Sequence, residues 1–255
     1  MDINKILYVA TFAGRIILES GGETYRVEET INRICTSFGM DDADSFVTPT
    51  GIMVSAFHKD KGTVSLIKRV KYRTVNLEKV HMVNDLSRSI GQQHMTVAEV
   101  NKALKEIDKS SRYGTKTTLF FSALGAAGFS ALFGGDIKDF FSAFFIGLII
   151  KAFSILSSNL LINDFFINSI GGAIAALLAL ICVNLGLASN LDMTIIGSIM
   201  LLVPGLAITN AIRDTMAGDL VAGLTRSAEA FLIALAIAIG TGVVLSFWFN
   251  LYGGI

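Results

Sequence analysis

The sequence predicts an α-helical membrane protein with five transmembrane helices, preceded by a small α+β cytosolic domain. Three observations carry this. From residue 117 onward, roughly 139 residues hold five apolar stretches, most of them near the ~20 residues that span a bilayer. Of 21 Lys and Arg, only Lys138, Lys151, Arg213 and Arg226 lie there. The first 116 residues carry 17 basic side chains against 14 acids, so a polar domain (1–116) of net charge +3 precedes a membrane domain (117–255) of net charge −3. The overall formal charge of zero hides this split.

Composition narrows the class further. The apolar fraction is 52%, high for a globular chain, and two prolines in 255 residues argue against extended linkers. Cys35 and Cys182 fall in different halves, so no disulfide is expected. Residues 6–18 are apolar-rich, but Arg15 interrupts them and no small-residue cleavage site follows. The N-terminal domain is therefore expected to stay on the side where it is made.

In the polar half, Ile6, Leu7, Ala10, Gly14, Ile17 and Leu18 recur with helical spacing, and Gly21-Gly22 ends that helix. A second helix is predicted over 23–38, with Tyr25, Val27, Thr30, Ile31 and Ile34 as apolar-leaning positions, a supporting Glu29–Arg33 pair, and Gly39 as its stop. Residues 45–58 and 63–70 are β-prone around Pro49-Thr50-Gly51 and Lys61-Gly62, which predicts two or three strands with a hairpin among them. Residues 76–90 read as a helix. Thr96 and Glu99 form a capping box that opens another, running to about residue 108.

In the membrane half the predicted spans are 117–133, 140–160, 165–187, 193–212 and 227–251. Backbone groups in hydrocarbon need internal partners, so each span is predicted to be helical. Lys109, Arg112 and Lys116 flank the first span. With the polar domain inside, Arg213 and Arg226 are inside too, and the C-terminus is outside. Small residues cluster in the first and third spans, Gly125 to Gly128 and Gly171 to Ala176, and read as tight helix packing. Lys151 reads as a side chain snorkelling to the headgroups.

The densest concentration of chemistry lies in residues 201–230. Pro204-Gly205 sits in mid-span, where proline removes a backbone donor and glycine loosens the helix. This is either a plain kink or one of the broken helices at which transporters build their sites. Asn210, Asp214 and Gly218 follow on one face; Asp219, Gly223 and Arg226 share another. The run lacks turn punctuation and is apolar between its charges. It fits a re-entrant or interface-lying segment along a polar cavity, the alternative being a solvated loop.

The run V-P-G-x4-N-A-x2-D-x3-G-x4-G-L-x-R resembles that of the threonine/serine exporter family of bacterial inner-membrane proteins. The opening run GRIILESGGETYRVEETINRI, residues 14–34, is similar to that family's opening, and the resemblance covers nearly the whole chain. It implies efflux of small polar metabolites: threonine and serine in some members, dicarboxylates such as succinate in a split pair, with the proton gradient as driving force. Long members have ten spans in two halves. Split members pair a large subunit of this length with a small membrane subunit of four or five spans. That partner, or a homo-oligomer, is therefore implied. Carried over by residue, the motif positions are Pro204, Gly205, Asn210, Asp214, Gly218, Gly223 and Arg226, with Gly22, Arg26 and Glu28 in the N-domain. For Arg26 and Glu28 the plainer reading is an ordinary surface or intradomain ion pair.

As a transporter subunit, the chain would use Asp214 or Asp219 as its proton-carrying carboxylate. Arg226 would meet a substrate carboxylate, and Asn210 would be a polar contact. The alternative is a membrane-anchored enzyme or ligand sensor acting through residues 1–116. Its chemistry is not apparent: His58, His81 and His94 lack metal-ligand spacing. Cys35 has no base partner and reads as a small core residue, and no nucleophile elbow, phosphate loop or dinucleotide fingerprint occurs. No metal or cofactor is expected, and a passive channel would need a water-filled pore. The interleaved charges of the N-domain do not suit nucleic acid.

Overall fold

The computed structural model describes residues 2–110, 113–159 and 162–253. They gather into two compact units, Met1–Arg112 with Leu206–Ala228, and Tyr113–Gly205 with Glu229–Ile255. The expected division at residue 116 follows the chain; the packing takes Leu206–Ala228 into the first unit.

At the centre of the first unit is α1 (Ile3–Glu19), capped by the Asp2 carboxylate on the Asn4 and Lys5 amides. Its apolar residues are buried around most of its circumference, so neighbours cover it on more than one side. α2 (Thr24–Ser37) packs Val27, Thr30, Ile31 and Ile34 into the same core. β1 (Asp42–Thr48), β2 (Gly51–His58) and β3 (Gly62–Arg69) form an antiparallel meander in that order. The register pairs Val47 with Ile52 and Ala43 with Ala56, so the buried face alternates cleanly. On the outer face Phe46, Met53 and Ile67 are cross-strand neighbours and are exposed. α3 (Leu77–Gln93) starts at an Asn76 cap. α4 (Val97–Lys109) starts at the expected capping box: the Glu99 amide donates to Thr96 Oγ1 at 3.3 Å, and the Thr96 amide to Glu99 Oε2 at 2.7 Å.

The second unit holds α5 (Thr115–Leu132), α6 (Ile137–Asn159), α7 (Asp164–Asn184) and α8 (Leu191–Ile199). Ile146, Ile150, Ala175, Ala176, Ala179 and Ile195 form its core. The small residues Ala126, Ala127, Gly171 and Gly172 are buried, as close helix packing requires. Asp139, fully buried, accepts from the amides of Ser189 and Asn190 at 2.8 and 2.9 Å and from Thr194 Oγ1 at 3.2 Å. It thereby ties the α5–α6 turn to the entry of α8.

Two spans differ from expectation. Residues 193–212 are not one helix: α8 ends at Ile199, residues 200–204 are non-helical, and α9 (Gly205–Ala217) starts afresh. Pro204 lacks the amide that would donate to the Met200 carbonyl, and the residue before a proline disfavours helical backbone, so α8 cannot run on into α9. The last helix, α10 (Leu220–Tyr252), begins seven residues before the predicted 227 and runs for 33 residues. Among the described residues three helical segments are long and apolar enough to cross a membrane: Ile137–Ser158, Asp164–Asn184 and Leu220–Leu251. α5 is not one of them, since its first turn, Thr115-Lys116-Thr117-Thr118, is polar. Leu160 at the predicted end of the second span, Arg112 in the basic flank, and the last two residues of the chain lie outside the described residues.

Candidate functional site

The site is built on the turn between α1 and α2. Gly21 adopts φ +87°, and the Gly22 amide donates back to the Ile17 carbonyl at 2.9 Å. A Cβ on Gly22 would collide with the Ile17 side chain, so only glycine fits there. The turn is pinned from outside as well. The Thr74 amide donates to Glu19 O at 2.8 Å and the Asn76 amide to Ser20 O at 2.9 Å. This leaves the Gly21 and Gly22 carbonyls and the first amides of α2 needing partners from elsewhere.

α9 and the start of α10 supply them. Asn210 Nδ2 donates to Gly21 O at 2.9 Å. An Arg226 terminal nitrogen donates to Gly22 O at 3.0 Å. Asp214 accepts from the Thr24 amide at 3.2 Å and from Thr24 Oγ1 at 3.1 Å. Glu23, at the N-cap position of α2, makes no side-chain capping bond. The Asp214 carboxylate does that work from 190 residues away, and its charge suits a helix N-terminus. Asp214 also pairs with Arg226, Nε to Oδ2 at 3.0 Å, with side chains 0% and 6% exposed. Further hydrogen bonds support the buried pair on both sides, from Thr24 to Asp214 and from Arg226 to the Gly22 carbonyl.

A second layer surrounds this pair. Glu23 bridges Arg213 and Arg26, the latter at 2.7 Å. Burial alone would raise the Glu23 carboxyl; the Arg26 hydrogen bond, the residue's own backbone amide and the charges of Arg26 and Arg213 outweigh it and hold it below 4.5. Glu28 behaves oppositely. Burial raises it above 4.5, the Val47 amide at 3.0 Å offsets part of that, and Asp219 and Asp214 push it further up. Asp219 is raised by burial and then by Asp214. The suggested pairing of Arg26 with Glu28 does not form: Arg26 goes to Glu23, and Glu28 to a backbone amide of β1.

Of the residues singled out by sequence, the structure brings together Gly22, Asn210, Asp214 and Arg226, with Arg26, Glu28 and Asp219 in the surrounding charges. Gly218 takes φ +96° in the turn from α9 to α10. Gly223 faces that same hairpin, where an added Cβ would sit 3.0 Å from both Ala211 O and the Thr215 amide. Pro204 and Gly205 mark the break before α9, and nothing lies within 4 Å of a Cβ added to Gly205. The remainder of α9 is amphipathic: Ile208, Ile212 and Met216, spaced by four, are exposed opposite Asn210 and Asp214. Sequence reasoning missed Glu23, Thr24 and Arg213. The Gly-Gly break beside a Glu-Thr helix start was the available signal, but a partner 190 residues away leaves no local pattern. Among the described residues, no group of three His, Cys, Asp or Glu is arranged to hold a metal ion.

The comparisons with known proteins agree with this segment's resemblance. The family model for threonine/serine exporters matches residues 8–248. A protein named "Probable succinate transporter subunit YjjP" from Klebsiella aerogenes is 26% identical over 240 residues, covering 91% of this chain and 90% of that protein. Its namesake from Escherichia coli is 24% identical over 243 residues, 92% of this chain and 91% of that one. A "Threonine/serine exporter" from Corynebacterium glutamicum is 26% identical over 255 residues, but the chain spans only 51% of its length. No solved structure matches.

Proposed function

Because this chain belongs to the threonine/serine exporter family, we propose that it is one subunit of a bacterial inner-membrane exporter of small polar metabolites. The substrate is threonine, serine or a dicarboxylate such as succinate, after the names its relatives carry. The observation that carries this reading is the family match along residues 8–248. The chain covers nine-tenths of a relative named as a transporter subunit and half of one named as an exporter. This supports a partner: a small membrane subunit of four or five spans, or a second copy.

In this reading the chain crosses the bilayer five times, by α5, α6, α7, α8 with the break that follows it, and α10. The domain of residues 1–116 and the segment 213–226 face the cytoplasm, and the C-terminus faces outside. Basic residues on the inner side support this, as does the apolar face of α9, which suits a helix lying in the headgroup region. Pro204, Gly205, Asn210, Asp214, Gly218, Asp219, Gly223 and Arg226 border the pathway. In one transport state Asp214 and Arg226 are bound to each other and to the α1–α2 turn; in another they part, and Arg226 meets the substrate carboxylate. The raised carboxyls of Asp219 and Glu28 suit proton coupling.

The test is efflux from cells overproducing this chain alone or with its small partner subunit. Little gain alone and full efflux on co-expression is the expected result. Full transport by a purified, demonstrably monomeric protein in liposomes would overturn the subunit reading.

A further inference from the structure

In the first unit, away from the α1–α2 turn, a cavity of about 670 Å³ is lined by α1, β3 and α4. That is within the range of small-molecule sites. Its apolar wall is Tyr8, Phe12, Leu66 and Ile67; its charged residues are Arg15, Lys68, Lys105, Lys109 and Asp108. The wall carries two aromatic rings. The Tyr8 and Phe12 rings lie 6.2 Å apart, tilted by 38°, and the Arg15 guanidinium sits 4.9 Å over the Phe12 ring. Tyr8 is 52% exposed and Ile67 77%, so the described residues of the first unit leave this surface open.

The charges decide what it would take. Arg15 is already matched, by Glu19 at 3.2 Å and Asp108 at 2.9 Å. That uses Asp108, the one acid among the described residues lining the cavity. Lys105 and Lys109 lie one turn apart on the same face of α4, and Lys68 comes from β3. A bare inorganic anion would leave the aromatic wall wet. An uncharged apolar molecule would bury lysine ammonium groups without partners. Lysines act as point charges and do not impose the planar fork of arginine, so phosphate and carboxylate are both acceptable.

We propose that this cavity binds a small planar organic anion, an aromatic ring carrying a phosphate or carboxylate, at a site separate from the transport motif.

The test uses the full-length protein in phosphatidylcholine nanodiscs, titrated with phenyl phosphate and followed by ligand-observed NMR, with empty nanodiscs as the blank. Saturable binding above the blank is expected. Lys105→Glu combined with Lys109→Glu should weaken it at least tenfold, and Tyr8→Ala at least threefold. Lys102→Glu, exposed on α4 outside the cavity, should change it less than twofold. Inorganic phosphate should compete at least tenfold less well. If the double Glu variant unfolds below the wild-type melting temperature, Lys105→Gln with Lys109→Gln replaces it, with a fivefold loss expected. Absence of saturable binding, an equal loss in Lys102→Glu, or equal competition by inorganic phosphate overturns the proposal. So does displacement of the probe by phosphatidylglycerol discs, which would make a lipid headgroup the occupant.

Discussion

Asp214 stands where three demands meet: it caps α2 through the Thr24 amide, accepts from the Thr24 hydroxyl, and balances the buried charge of Arg226. Asp214→Asn keeps the shape but leaves Arg226 uncompensated, which costs about 3–5 kcal/mol. Thermal unfolding should show the loss, and replacing both partners by apolar residues (Asp214→Leu with Arg226→Met) should recover only part of it, because the lone charge goes but the Thr24 amide and the Gly22 carbonyl lose their partners. Efflux measured well below the melting temperature separates stability from pathway. A folded Asp214→Asn protein with wild-type efflux would remove this residue from the pathway. Glu28 offers a prediction of opposite sign. Its carboxyl is raised by burial first and by its acidic neighbours next, so the folded chain holds that proton more tightly than the unfolded chain. The resulting stabilisation is whole below pH 4.5 and is lost as pH rises through the folded-state value. At pH 7 the unfolded chain has shed this proton, so the folded chain's preference for the neutral acid works against folding there. Glu28→Gln can still accept from the Val47 amide, so its melting temperature should exceed wild type at pH 7 and converge with it below pH 4.5. A constant difference across that window would refute the assignment.

At the scale of elements, the α9–α10 hairpin separates glycines that the sequence pattern treats alike. Gly223 lies against the Ala211 carbonyl and the Thr215 amide, both backbone groups that cannot swing aside. Gly223→Ala should therefore cost about 1–3 kcal/mol by overpacking. Gly205 has open space around it at the start of α9, so Gly205→Ala should be neutral or stabilise by about 0.4–1 kcal/mol through the unfolded chain. Parallel denaturation of the two variants checks this, and equal effects would contradict the hairpin's packing. The helices of the first unit were legible because caps and periodicity are local: Thr96 and Glu99 announce α4, and Gly21-Gly22 ends α1. The 193–212 segment was legible only in part. Pro204 signalled a break, but whether a proline bends a helix or ends it depends on what its neighbours bond to.

For the whole molecule, the length of α10 frames the topology. Its 33 residues extend about 50 Å, well beyond a ~30 Å hydrocarbon core. Its first nine residues, Leu220–Ala228, belong to the first unit, and the 24 from Glu229 to Tyr252 still reach about 36 Å. The proposed orientation is checked by a cysteine at Gly253. A membrane-impermeant maleimide should label it from outside in intact cells with the outer membrane permeabilised. Labelling only after access to the cytoplasm would sink the five-crossing arrangement. Cys35 will not interfere, because burial pushes its thiol up to about 12 and keeps it protonated. Cys182, partly exposed within α7, is best replaced first.

The sequence by itself determined the division into a basic polar part and an apolar part, the α+β pattern of the first hundred residues, and the motif that marks the family. These rest on composition, periodicity and spacing, which are properties of neighbouring residues. Tertiary structure alone decided that Leu206–Ala228 packs with the N-terminal unit, and that Asn210, Asp214 and Arg226 bond to Gly21, Thr24 and Gly22. It also decided that Glu23, not Glu28, is the partner of Arg26. The physical reason is that a buried carbonyl, amide or charge takes a partner wherever the fold supplies one, and across some 190 residues no sequence periodicity records the choice.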